Sequence, residues 1–373
     1  MEKNTTFVGL DVSKATIAVA VAQGGRRGEV RFYGTISSKP EAVAKLIGTL
    51  SAKHAELVFA YEAGPTGYGL YRQITNQGHA CHVVAPSMTP SRPGDQIKTD
   101  RRDAAVLASL LRAGELTPIW VPDSDHEAMR DLVRGRISAV AAIRRTRQQL
   151  LSFLLRHGRV YRDGVKHWTK RHRRWLGEQR FDHPAQQIAF EEYNRAIEQA
   201  EDRRLRLERQ IEALLPDWSL FPVVASIQAL RGISLIAAVT LVAEVGDFRR
   251  FANPRQLMGW LGLVPRERSS GATRAQGAIT KAGNSRARRM LVESAWTYRL
   301  PARVAGALLQ RSARLPETVR DIAWKAQVRL CARYRRLQRS GRPKNVVTVA
   351  IARELAAFVW AIAIQTEPAP QTT

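Results

Sequence analysis

Two apolar runs near the start of the chain, FVGLD (7–11) and TIAVAVA (16–22), are separated only by the residues VSKA. Strands that close together in sequence pair as a hairpin, and a third β-rich run, Val30 to Ile36, follows after another short Gly-containing turn. The spacing predicts an antiparallel meander. Beyond it, Lys39 to Lys53 has apolar residues at helical spacing, Leu57 to Tyr61 is a short apolar strand, Gly67 to Gln77 a helix and His82 to Val84 another short strand. The first 120 or so residues therefore read as an α/β domain. One residue is out of place: Asp11 closes an apolar strand, where a carboxylate is costly unless something pairs with it.

The rest of the chain is set by charge. Of 373 residues, 59 are Lys or Arg and 33 Asp or Glu, a net charge of +26 with a sequence pI near 11.1. Such a field favours polyanions, and nucleic acid is the expected partner. The basic residues cluster. Between Met129 and Arg180 there are 15 Lys and Arg against three acids, interleaved with an apolar stripe that includes Leu132, Ile143, Leu150 and Leu154. This predicts a long helix with one basic face and then a basic segment, HWTKRHRRWL, giving a phosphate-tracking surface that includes Arg144, Arg145, Arg147, Lys170, Arg171, Arg173 and Arg174. Gln186 to Leu215 continues as helix and forms a hairpin or coiled coil with the preceding one.

The connector VVAPSMTPSRPGDQ leads into a predicted helix over Ile97 to Ala113 that stops at Gly114. Near Pro222 a helical region begins, with Gly232 at a tight turn before an Ala-rich helix; the pattern resembles a helix-hairpin-helix element, in which a glycine lets a DNA backbone approach. A buried small-residue hairpin is the competing reading. There follows a glycine-rich basic loop, RERSSGATRAQGAITKAGNSRARR, where Ser269 and Ser270 sit among Arg268, Arg274, Lys281, Arg286, Arg288 and Arg289. These cations suit a phosphate and the extra charge of its transition state. The expected layout is residues 1–120, a basic helical or coiled-coil stretch over 121–221, a mostly α domain over 222–364 and a disordered tail over 365–373.

Two separated cysteines, Cys81 and Cys331, have no metal-ligand spacing and argue for a reducing, cytoplasmic setting. The polar N-terminus resembles no signal peptide, and no apolar run is expected to span a membrane.

The acids of the first domain belong together. Asp11 and Glu62 end apolar strands, and KTDRRDAAVLASLL puts Asp100 and Asp103 three apart on one helical face. Functional groups of α/β sheets gather at the carboxyl ends of the strands. Four converging carboxylates need cations, and hard oxygen donors point to Mg²⁺ or Mn²⁺ and hence to phosphodiester chemistry. Taken singly, each acid also fits a turn or a helix N-terminus.

VGLDVSK, YEAGPTGYGLYR, IKTDRRDAAVLA and RFANPRQLMGWLGLVPRERSSGATRAQGAITKAGNSRARRMLVESAW, in that order, strongly resemble the DEDD transposases of insertion-sequence family 110, the bridge-RNA-guided recombinases. The resemblance implies a ribonuclease H-like (RuvC-like) N-terminal domain, a coiled coil and a transposase domain. It implies a metal-binding tetrad of Asp11, Glu62, Asp100 and Asp103 and a nucleophilic serine before the Gly of an SG motif, here Ser270 with Ser269 as its rival. DNA, an element-encoded guide RNA and other copies of the chain are the implied partners. Three other readings stand beside it. A resolvase or nuclease would cut with water and form no serine adduct, and an inactive relative would only bind nucleic acid. An actin-like ATPase or sugar kinase would share the first hairpin, but its second phosphate loop and adenosine motif are missing here.

Overall fold

In the computed structural model, the structure describes residues 5–25, 28–90, 99–162, 166–267 and 275–366, which divide into two compact units, Met1–Val121 and Pro122–Thr373. The first is mixed α/β. Its strands β1 (Thr5–Val12), β2 (Thr16–Gln23) and β3 (Val30–Ser37) form the predicted meander. Helix α1 (Pro40–Ser51) leads to β4 (Glu56–Glu62), and helix α2 (Gly69–Asn76) to β5 (Ala80–Val84). The sheet order is β3-β2-β1-β4-β5, with β4 and β5 parallel to β1.

Strand alternation sorts the sheet into two different faces. Val8, Leu10, Val19, Phe59 and Tyr61 pack with Leu46, Ile47 and Leu50 of α1 and Ile74 of α2. On the other face Ala18, Ala20 and Ala60 meet Ala104, Leu107, Ala108 and Leu111 of α3 (Asp100–Ala113). Small residues let this helix lie close. At Gly9 a Cβ would stand 2.2 Å from the Ala104 carbonyl oxygen and 2.4 Å from the Ala108 amide nitrogen, so α3 crosses β1 where the side chain is missing. Thr99 caps α3, its side chain accepting from the Arg102 amide, and Gly114 ends it with φ 72°. The predicted helix thus begins at Asp100, while its expected first residues, Ile97 and Lys98, lie outside the described residues.

The second unit is helical. Helices α4 (Ser124–Arg156) and α6 (Pro184–Leu214) run antiparallel, with α5 (Lys170–Glu178) between them in sequence. There follow α7 (Phe221–Ile227), α8 (Leu235–Val245), α9 (Pro254–Trp260), a short hairpin of β6 (Pro265–Glu267) and β7 (Gln276–Ile279), α10 (Ser285–Ala295), α11 (Ala307–Ser312), α12 (Glu317–Arg339) and α13 (Lys344–Ala363). Val239, Val242, Leu291, Leu330, Ile351, Leu355 and Val359 are among the residues of one continuous core. The expectation that no run matches a membrane span needs correcting, because α13 is long and apolar enough by length and composition. Its apolar residues are drawn into this core, and Arg329 and Arg333 of α12 pair with its Glu354.

Candidate functional site

The parallel register of β1 and β4 ends at the pair Leu10–Tyr61, and the next residue on each strand is the acid, Asp11 and Glu62. Both follow the alternation that puts Gly9 and Ala60 against α3, so their side chains belong to the α3 face at the carboxyl ends of two adjacent central strands. The buried stripe of α3, read back from Leu111 through Ala108, Leu107 and Ala104, continues at helical spacing into Asp103 and Asp100. Asp11, Glu62 and Asp103 are half-buried and Asp100 is exposed. Thr89 donates its hydroxyl to Glu62 Oε1 at 2.9 Å and orients that carboxylate. Nothing in the sequence singled out Thr89, which reaches Glu62 from beyond the end of β5.

Carboxylate oxygens are the donors that hard divalent ions take, so the donor set fits Mg²⁺ or Mn²⁺. Among the described residues, no group of three or more His, Cys, Asp or Glu is gathered closely enough to hold an ion. The fold brings Asp11 and Glu62 to one face and one end of the sheet and puts Asp100 and Asp103 at the start of the helix packed on that face.

In the second unit, β6 and β7 pair antiparallel and flank the segment that carries the serines. Arg268, Ser269, Ser270 and Arg274 lie outside the described residues. Of the other basic residues predicted there, Lys281 is exposed with φ 57°, and Arg289 bonds Glu293 one turn along α10. Arg288 donates to the carbonyls of Leu261 and Ala282 at 2.8 and 3.1 Å, an internal bracing role. Arg286 stands 3.9 Å from Glu244 while keeping about half its surface in solvent.

Three expectations about phosphate contact are changed by internal partners. At Gly232, which has φ 85°, a Cβ would meet the Ser294 carbonyl oxygen at 2.4 Å; packing against the end of α10 therefore dictates the glycine, as in the buried-hairpin reading. Arg147 and Arg173 both bond Glu201 of α6, and the Arg147 guanidinium also lies 4.7 Å above the Trp168 ring. Part of their charge is offset from a helix distant in sequence, which a count along α4 and α5 alone misses. Arg144, Arg145, Lys170, Arg171 and Arg174 are exposed.

Sequence reasoning also missed Glu244, whose side chain is fully buried on α8. Arg134 holds it from α4, with Nε to Oε1 at 2.8 Å and Nη2 to Oε2 at 2.9 Å, and Asn284 donates to Oε2 at 2.6 Å. Burial alone would push this carboxyl up; the hydrogen bonds from Arg134 and Asn284, with the charges of Arg134 and Arg286, outweigh it and hold the carboxyl below its usual range.

Comparison with known proteins joins the two units. Residues 8–158 match the DEDD transposase domain model of the IS110 type, described as "Transposase", and residues 224–305 the model described as "Transposase IS116/IS110/IS902 family". The y4qE protein of Sinorhizobium fredii, which carries a transposase name, is 55% identical over 98% of this chain and 90% of its own. The transposase for insertion sequence element IS1533 of Leptospira borgpetersenii is 30% identical over 90% of this chain and 97% of its own. The pilin gene-inverting protein of Moraxella lacunata is 24% identical over 77% and 71%. DEDD transposase domains generally work with divalent metal ions. With transposase models matched in both units and 55% identity to a full-length relative, the chain belongs to the IS110 family of insertion-sequence transposases, enzymes that recombine DNA.

Proposed function

We propose that this transposase cuts and rejoins DNA through a serine nucleophile, Ser270, assisted by divalent ions at Asp11, Glu62, Asp100 and Asp103. The observation that carries the reading is the placing of Asp11 and Glu62 side by side on the α3 face, in line with the acids at the start of α3. The sheet order, three antiparallel strands followed by two parallel to the first, supports a ribonuclease H-like, RuvC-like domain. Magnesium or manganese held there would stabilise charge on the phosphoryl oxygens and favour the ionised attacking hydroxyl.

The serine hydroxyl oxygen attacks phosphorus, a phosphoserine bond forms, and the bond to the leaving strand's oxygen breaks. The freed hydroxyl of a second DNA end later reverses the step. One phosphodiester is exchanged for another, so neither water nor a nucleotide is consumed. Lys281, Arg286 and Arg289, which follow the serine segment in sequence, suit the phosphate charge, and the exposed Arg144, Arg145, Lys170, Arg171 and Arg174 suit a nucleic-acid backbone. The reading includes an element-encoded guide RNA that chooses donor and target, an assembly of several copies and action in the cytoplasm beside the chromosome.

Purification under stringent salt, followed by sequencing of the retained nucleic acid, tests the guide. A discrete RNA from the element's non-coding end is expected, and that RNA should be required for recombination of defined donor and target DNA in Mg²⁺. Random, salt-removable nucleic acid with full activity overturns the guided reading.

A further inference from the structure

Glu244 is the one charged residue of α8, LIAAVTLVAEV, and its side chain is completely buried. A buried ion pair is a poor source of stability, since well-packed apolar residues commonly do as well. Its connections suggest another use. Asn284 donates one end of its amide to Glu244 at 2.6 Å, and with the other end accepts from the Arg286 and Ala287 amides at 3.0 Å each, capping α10. Both ends are engaged, so the amide has one orientation.

The residues just before Asn284 are locked as well. Gly283 has φ 76°, and a Cβ there would lie 1.9 Å from the Trp260 carbonyl oxygen. Lys281 donates its amide to the Gly262 carbonyl at 3.1 Å, and Thr280 to that of Val264 at 2.9 Å. From there the chain runs straight into the β6–β7 hairpin, whose register reaches Glu267–Gln276, next to the serine segment. One hydrogen bond, Asn284 to Glu244, and then the short run of chain 280–283, pinned by the Lys281 and Thr280 amides, therefore link a buried carboxylate to the base of that hairpin.

We propose that Glu244 is a positioning residue: gripped by Arg134, it fixes Asn284 and through it the base of the β6–β7 hairpin, and so the aim of the nucleophile. The inference rests on the reading of Ser270 as that nucleophile. Three variants separate the two. Glu244→Gln keeps the shape and removes the charge. Asn284→Ser keeps a capping hydroxyl for α10 but is too short to reach Glu244. Ser270→Ala removes the nucleophile.

For each variant, thermal unfolding, affinity for donor DNA and the rate of covalent protein–DNA adduct formation at saturating DNA are measured. Asn284→Ser should unfold near the wild-type temperature and bind DNA within about twofold, yet form adduct about tenfold or more slowly, since small misplacements cost that much. Glu244→Gln should lose adduct formation to a similar degree, and Ser270→Ala should form none. Adduct at the wild-type rate in both Glu244→Gln and Asn284→Ser, with none in Ser270→Ala, overturns the positioning role alone. Adduct persisting in Ser270→Ala overturns the nucleophile assignment and this inference with it.

Discussion

Asp11 and Glu62 each stand one residue beyond the last registered pair of β1 and β4, Leu10 with Tyr61, so two carboxylates lie toward the carboxyl ends of adjacent parallel strands on the same face. Carboxylate oxygens placed in this way are the donors that hard divalent cations take. Glu62→Gln keeps the side chain's shape and its acceptor for Thr89 while removing the charge. Recombination should fall to background, with the thermal unfolding midpoint equal to or above that of wild type. A Glu62→Gln protein recombining at the normal rate removes this residue from the chemistry.

Gly9 sets how closely α3 approaches. Gly9→Ala drives a Cβ into backbone atoms of Ala104 and Ala108, which cannot rotate away. The overpacking should cost about 1–3 kcal/mol in denaturant unfolding. Because Asp103 precedes Ala104, activity should fall further than stability explains, on the order of a hundredfold per ångström of displacement. Gly48→Ala is the control, with nothing within 4 Å of its Cβ in the middle of α1. It should be neutral or stabilising by up to about 1 kcal/mol.

Thr89 is expected to act through Glu62. Thr89→Val removes the hydroxyl that donates at 2.9 Å and keeps the volume. A hydrogen bond to a charged group is worth about 1.5–3 kcal/mol. A drop of about tenfold in recombination, repaired by raising Mg²⁺ and by Thr89→Ser, is expected; an unchanged metal dependence in Thr89→Val contradicts the orienting role.

His172 predicts an acid-sensitive second unit. Its ring is fully buried among Tyr161, His167, Trp168 and Trp175, and among the described residues neither ring nitrogen has a hydrogen-bond partner. Burial, with the charges of His167 and Arg173, lowers its pKa to about 4. The folded value lies below the unfolded value of about 6.5. The contribution is therefore complete above pH about 6.5 and is lost as pH falls toward 4. His126 is lowered as well, chiefly by burial, and acts in the same direction. Urea unfolding from pH 7 to 4 should show a steep loss in wild type and a flatter one in His172→Phe; parallel curves contradict it.

The strands were legible, and the four acids could be placed at strand ends and on one helix face, because those signals are local. Alternation and short turns mark the meander, and the three-residue step from Asp100 to Asp103 shows on any helix. What escaped depends on partners far along the chain. Glu244 is one acid in an apolar helix, and its Arg134 lies 110 positions away. Part of the charge run over α4 and α5 is offset from α6, where Glu201 bonds Arg147 and Arg173 and Glu208 bonds Arg136. Gly232 carried a true signal for a positive φ, and the atom that a Cβ there would meet belongs to Ser294, far along the chain.

The central claim is that the carboxylate face and the serine segment serve one reaction. Stalled reactions on nicked donor DNA, digested with trypsin, should yield nucleotide attached to the peptide 269–274, SSGATR. The same peptide should be unmodified in Asp11→Asn and after chelation of divalent ions. Adduct on another peptide, cleaved DNA with no adduct at all, or undiminished adduct in Asp11→Asn would contradict it.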